Sequence, residues 1–255
     1  MARVHPGSLA AAIEDGLRRA GNAGRAAGAK RYLKSELVFL GADTRAIRQT
    51  VKDVLGDAAP VGRGDLLALV HELWGRGIFE LRAAAVEILV MREALLSTAD
   101  IAVVERLVRD SQTWALVDSL AVHVAGPLVV RFPELGETLD RWACDADFWV
   151  RRAALLALLV PLRRGEGDFE RFARYADPML EEREFFVRKA IGWVLRETAK
   201  KRPQLVFDWL APRVHRASGV TVREAVRYLP EGERRLLLAT SRKRRSQASG
   251  CSGGY

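Results

Sequence analysis

FVRKA, residues 186–190, is the stretch on which the fold turns. It opens a segment whose apolar residues recur at three- and four-residue spacing, the period of an amphipathic helix. The five-residue pattern returns along the chain. Phe79-Glu-Leu-Arg82-Ala83 is one copy, Trp149-Val-Arg-Arg152-Ala153 another, and Thr221-Val-Arg-Glu224-Ala225 a weaker one; between the first two lies Trp114-Ala-Leu-Val117-Asp118. The leading residues fall at 79, 114, 149, 186 and 221, a spacing of 35 to 37. A helix pair fills a period of that length, and stacked pairs make an α-solenoid. No tetratricopeptide consensus is evident, so HEAT-like pairs fit better. The expected fold is therefore all-α, an α-solenoid of HEAT-like helical repeats whose inner helices line a concave basic groove. Arg82, Arg152 and Lys189 share one column of the repeat and supply that groove.

The rest of the chain agrees with a helical reading. VREAVRYL and LRAAAVEILV are amphipathic, AALLALLVPL (153–162) reads as buried helix, and GRGDL (62–66) and RRGEGD (163–168) read as loops. Strand-like alternation is scarce. The expected organisation is one repeat domain over residues 1–238 and a basic, disordered tail over 239–255. No apolar run is expected to span a membrane, and MARVHPGSLA lacks a secretory apolar segment, so a cytoplasmic protein is expected. The Arg-, Ala- and Gly-rich composition fits a GC-rich bacterial genome. Cys144 and Cys251 form no CxxC, and His5, His71, His123 and His215 show no metal spacing; neither a disulfide framework nor a zinc site is expected.

Lys and Arg number 41 against 32 Asp and Glu, a net charge of +9 that favours a polyanionic partner. Against that background Asp118 stands out. The fifth column of the repeat holds Ala83, Ala153, Ala190 and Ala225, and in one repeat alone it holds a carboxylate. Buried and unpaired, that group would cost several kcal/mol. Asp118 is therefore paired with an arginine such as Arg152, exposed in the groove, or kept for chemistry.

One carboxylate beside indoles has a definite chemical use. Breaking an N-glycosidic bond generates an oxocarbenium-like sugar, which a carboxylate and electron-rich rings stabilise. The same carboxylate can hold and deprotonate the attacking water. A leaving base that is already cationic, as N3- and N7-alkylated purines are, needs no general acid. Such a site requires no metal and no cofactor. Trp114 and Trp193 are the candidate indoles; Trp74, Trp142, Trp149 and Trp209 read as packing residues.

Four blocks carry a resemblance: EFFVRKAIGWVLRETAKKRPQLV (184–206), KRYLKSELVFLG (30–41), TWALVD (113–118) and DADFWVRRAALL (145–156). In this order they resemble the AlkD-type alkylpurine DNA glycosylases, the DNA alkylation repair family of HEAT-like repeats, over roughly residues 25–230. The resemblance implies a monofunctional enzyme that releases 3-alkyladenine and 7-alkylguanine from double-stranded DNA without drawing the lesion into a base pocket. It puts the catalytic carboxylate at Asp118, aromatic walls at Trp114 and Trp193, a lesion-strand arginine at Arg152 and a further aromatic at Tyr32. Lys30, Arg31, Lys34, Arg188, Lys189 and Arg196 become candidates for phosphate contact. Thr113 stands where a relative carries a second tryptophan. Two other outcomes stay open: a self-resistance glycosylase for bulky natural-product adducts, and a non-catalytic DNA-binding or protein-binding HEAT scaffold. A monomer is the expected state of a duplex-cradling solenoid.

Overall fold

The computed structural model describes residues 5–56 and 61–250, with side chains described to residue 242. The chain divides into two compact units, Met1–Phe132 and Pro133–Tyr255. Among the described residues there is no strand, only a lone bridge between Val38 and Ile78. The fold is a helical repeat, as expected.

The first unit holds α1 (Pro6–Ala20), α2 (Ala23–Leu33), α3 (Thr44–Gly56), α4 (Arg63–Gly75), α5 (Phe79–Met91), α6 (Ile101–Asp110), α7 (Trp114–Leu120) and α8 (Gly126–Arg131). The second holds α9 (Gly136–Ala143), α10 (Phe148–Ala157), α11 (Leu159–Arg163), α12 (Phe169–Met179), α13 (Phe185–Ala199), α14 (Pro203–Leu210), α15 (Gly219–Ala225) and α16 (Glu231–Gly250). The repeat's leading residues mark helix starts. Phe79 and Trp114 are the first residues of their helices, Trp149 and Phe186 the second, and Thr221 the third.

One reading of the sequence is corrected. GRGDL is not a loop: Gly62 is the N-cap of α4, and the arginine that follows begins the helix. α16 runs from Glu231 past position 238 to Gly250; residues 251–255, including Cys251, lie outside the described residues. RRGEGD does turn, with Gly165 and Gly167 at φ +86° and +74° after α11.

In the first unit α5 is the central helix. Leu81, Ala84, Ala85, Val86, Ile88 and Leu89 are all buried, against Ile13 and Leu17 of α1 and Leu66, Leu69 and Leu73 of α4. Each fully buried aliphatic side chain contributes about 1.5–3 kcal/mol. By contrast, α2 buries no residue at all. It is held by its ends. The Glu80 carboxylate accepts from the backbone N–H groups of Leu40 (2.9 Å) and Gly41 (2.7 Å), which fixes the 35–41 loop. That loop in turn binds the start of α2: Asn22 N–H donates to the Leu40 carbonyl (2.9 Å), and Arg25 Nε donates to the Gly41 carbonyl (2.8 Å). Gly41 must be glycine, since φ is +81° and a Cβ would sit 2.1 Å from the Asn22 oxygen.

After α7 the backbone widens into a π-helical turn, Ala121–Ala125, closed by Gly126 N–H donating to the Ala121 carbonyl. Pro127 explains it. Proline has no N–H to give, and its ring presses on the carbonyl four residues back, which a wider turn relieves. The continuous segment Trp114–Arg131 is 18 residues, long and apolar enough to cross a membrane by length and composition, contrary to the expectation from sequence. Half of it is buried inside the protein, as a core helix would be.

In the second unit α13 is the centre, packed by α10, α11, α12, α14 and α15. Val187, Ala190, Ile191, Val194 and Leu195 are fully buried, as are Trp142 and Phe172. α13 and α15 approach so closely that a Cβ on Gly192 would lie 2.9 Å from the Thr221 carbonyl oxygen. Trp74, Trp142 and Trp209 are buried packing residues, as read from sequence.

Candidate active site

The first unit brings together three of the residues singled out by sequence. Trp114 and Asp118 lie four residues apart on α7, hence on one helix face, and both are half-buried. The ring of Tyr32, 73% exposed near the end of α2, meets the Trp114 indole edge to face, with centroids 5.8 Å apart and planes at 84°. An exposed phenol, an indole and a carboxylate thus share one surface. The end of α2 also carries Lys30, Arg31 and Lys34, all exposed, around a cavity of about 500 Å³. Lys34 closes the helix in the left-handed conformation, φ 50°. Lys30 lies 4.0 Å from Glu36, an exposed pair of little energetic weight.

The second unit carries the remaining candidates. Trp193 is half-buried on α13. Lys189 is exposed, its ammonium 5.9 Å from the centre of the Phe185 ring. Arg188 Nε donates to the Glu182 carbonyl. Arg196 is committed elsewhere: its guanidinium pairs with Glu197 at 3.2 Å and with Glu224. Glu197 also receives Arg163 and Lys200, each at 2.8 Å. Burial pushes the Glu197 carboxyl up, but these cations together hold it below the usual range.

Two of the three residues of the shared basic column do not line a surface. Arg82 is 8% exposed and donates to the carbonyls of Trp74 (3.3 Å) and Asp110 (2.6 Å), with its guanidinium 5.0 Å over the Trp74 ring. Burial lowers its pKa, with the Asp110 carboxylate opposing. Arg152 is 3% exposed; it donates to the Phe186 carbonyl and sits 5.9 Å over that ring. Both arginines tie one helix to the next. Only Lys189 in this column is exposed. The leading aromatics also pair: Phe79 stacks on Phe39 at 4.9 Å, and Trp149 lies 4.9 Å from Phe186.

A family model described as DNA alkylation repair enzyme matches residues 13–229. The chain belongs to that family. The fold of the DNA alkylation repair enzymes recurs in solved structures. A predicted DNA alkylation repair enzyme from Enterococcus faecalis is similar at 23% identity with a TM-score of 0.74, over 83% of this chain and 97% of that one. AlkD2 from Streptococcus mutans is similar at 17% identity and a TM-score of 0.56, over 73% and 90%. No curated protein matches the chain. Family membership places the chain in repair of alkylation damage, with DNA as its partner.

Sequence reasoning missed three features of the site. Thr113, the N-cap of α7, is 1% exposed and its hydroxyl has no hydrogen bond among the described residues. The π turn begins three residues after Asp118; Pro127 inside an apolar helix was its available signal. The acidic run before α13, Glu181 to Glu184, makes no side-chain cap through Glu184; instead Glu182 pairs with Arg151 at 2.7 Å and Glu181 with Arg216 at 2.7 Å. Charge alone could not distinguish capping from cross-helix pairing.

Proposed function

We propose that this chain is a monofunctional DNA glycosylase that hydrolyses the N-glycosidic bond of cationic N3- and N7-alkylated purines in duplex DNA, without a base-holding pocket. The observation that carries the reading is the surface shared by Asp118, Trp114 and Tyr32. The C1′–N bond breaks with its electron pair going to the base, which leaves neutral. The sugar becomes oxocarbenium-like. Asp118, ionised, faces that positive charge, where a carboxylate at 4 Å is worth about 4 kcal/mol near a protein surface. Indole faces add cation–π attraction of about 0.5–2 kcal/mol. Water attacks C1′ and its proton passes to Asp118 and then to solvent, leaving an abasic site and the free base. In this reading Lys30, Arg31 and Lys34 of the first unit and Arg188 and Lys189 of the second meet phosphates, while Arg152, 3% exposed, could reach DNA only by giving up its bond to the Phe186 carbonyl. Arg196 could reach DNA only by giving up its pairs with Glu197 and Glu224.

The test is direct. Methylated duplex is incubated with the chain, and free 7-methylguanine and alkali-labile sites are counted. Release by the wild type supports the reading; binding of methylated duplex with no release leaves a DNA-binding scaffold. Comparing simple methyl with bulky adducts separates a general repair enzyme from a self-resistance one.

A further inference from the structure

The third place of the repeat holds Leu81, Leu116, Arg151, Arg188 and Arg223. In the first unit it is apolar and packed, with Leu81 at 0% and Leu116 at 2% exposure. In the second unit it is arginine in every copy, and the three arginines are not equally engaged. Arg151 is fully committed: it pairs with Glu182 at 2.7 Å and donates to the carbonyls of Asp145 (2.7 Å) and Ala146 (2.8 Å). Arg188 gives only its Nε, to the Glu182 carbonyl. Arg223 is exposed. Neither Arg188 nor Arg223 makes an ion pair among the described residues.

Equivalent places on adjacent helices come together here. α13 and α15 pack at close range, and the Thr221 hydroxyl donates to the Arg188 carbonyl (2.9 Å), tying the two repeats at this level. Arg188 and Arg223 thus line one cavity of about 680 Å³, within the size range of small-molecule sites. Among the described residues its lining holds one other cation, Arg216, and one carboxylate, Glu181. Those charges are balanced. Arg216 binds Glu181 (2.7 Å) and shares Asp177 with Arg213 (3.0 and 2.8 Å), so two acids meet two arginines. The guanidinium groups of Arg188 and Arg223 remain uncancelled. Phe185 lines the same cavity, 53% exposed, braced by the Phe186 ring at 5.5 Å and 77°. A half-exposed phenyl ring therefore stands beside a doubly cationic hollow.

We propose that this cavity binds a nucleotide by its terminal phosphate, with the phosphomonoester on Arg188 and Arg223 and the flat base against Phe185. Two uncancelled cations match a phosphomonoester, which carries about −1.5 to −2 near neutral pH. Guanidinium forks also meet phosphate oxygens in pairs. A backbone diester carries about one charge, and an intact duplex keeps its bases stacked inside; it answers neither the second arginine nor the ring. A free nucleoside monophosphate and the 5′-phosphorylated end of a strand present the same chemistry. The inference goes beyond excision and does not require it.

The full chain is titrated calorimetrically with deoxyguanosine 5′-monophosphate, deoxyguanosine and inorganic phosphate. Wild type, Arg223→Gln and Phe185→Ala are compared, with melting temperatures as a check on folding. The monophosphate is expected to bind and the nucleoside is not. Arg223→Gln should weaken the monophosphate by about 10- to 100-fold, the loss of a charge-assisted bond. Phe185→Ala should weaken it by about 5- to 100-fold through lost stacking, and leave inorganic phosphate as it is. A single strand with and without a 5′-phosphate names the source. Tighter binding of the phosphorylated strand, lost in Arg223→Gln, assigns the site to strand ends; equal binding assigns it to the free nucleotide. A wild type that binds no monophosphate overturns the proposal, and so does a folded Arg223→Gln that binds it as the wild type does. A blunt, unphosphorylated duplex that displaces the monophosphate and is itself weakened by Arg223→Gln also overturns it, because the cavity then serves the backbone.

Discussion

In α5 and α10 the fourth place of the repeat holds an arginine, and in both helices it is buried: Arg82 under the carbonyl of Asp110, Arg152 under the carbonyl and ring of Phe186. The fifth place beside Arg152 is Ala153, fully buried. In α7 the fourth place is Val117, fully buried and apolar, and the charge comes one residue later as the half-buried Asp118. One residue is about 100° around a helix, so the shift moves the charge from the packed side to the open side. The sign changes with it. A cation in the packed column can donate to a backbone carbonyl of a neighbouring helix; a carboxylate has nothing to donate. The same repeat therefore uses charge to join helices in one place and, in another, carries it at a half-buried position one residue later.

The sharpest way to break this contrast is Asp118→Asn. Excision of 7-methylguanine is expected to fall by about 100- to 10,000-fold, the span of general-base and charge-stabilising losses. Duplex affinity should be retained, since no positive charge is lost. Wild-type single-turnover rates in this variant would sink the role given to Asp118.

Placing a carboxylate in the packed version of the column should do something different. Ala153→Asp would bury an anion at a position with no exposure, at a cost of several kcal/mol. The expected drop in melting temperature is about 10 °C or more, at about 2–4 °C per kcal/mol for a domain of this size. A variant that melts with the wild type would show that the column is open in α10 as well. Arg82→Met comes next. It keeps the aliphatic cover on Trp74 but removes two donors to backbone carbonyls, bonds worth about 1.5–3 kcal/mol where the donor is charged. A fall of about 5–8 °C is expected, with excision by the folded variant within about threefold of wild type.

How much of this could be read from the residues alone divides along the same line. The helical repeat was legible because its period survives at the helix starts: Phe79, Trp114, Trp149 and Phe186 all fall in the first two residues of their helices. The pairing of Tyr32 with Trp114 was not, because 82 positions separate them and only the loop held by Glu80 sets where α2 lies. The basic column was misread for a physical reason. Spacing tells which residues share a face, but not whether that face meets solvent or the next helix, and Arg82 and Lys189 have opposite fates in equivalent places. The ion pair of Arg196 was likewise not legible, since its carboxylate partner Glu224 lies on another helix 28 residues on.

Tyr32 gives the smallest expected effect and the finest test of how the open surface is organised. The residue is 73% exposed on a helix that buries nothing, so packing gives no reason for an aromatic ring there beyond its contact with Trp114. An edge-to-face pair is worth about 0.5–1.5 kcal/mol. If that contact fixes the indole's orientation, Tyr32→Ala should slow excision by about 2- to 12-fold, with the melting temperature unchanged within about 2 °C because no buried area is lost. Tyr32→Phe keeps the ring edge and should restore the rate to within about twofold. Should Tyr32→Phe instead match Tyr32→Ala, the phenol hydroxyl and not the ring is what the reaction uses, and Tyr32 would then belong with Asp118 among groups that touch substrate rather than with the arginines that hold the helices in place.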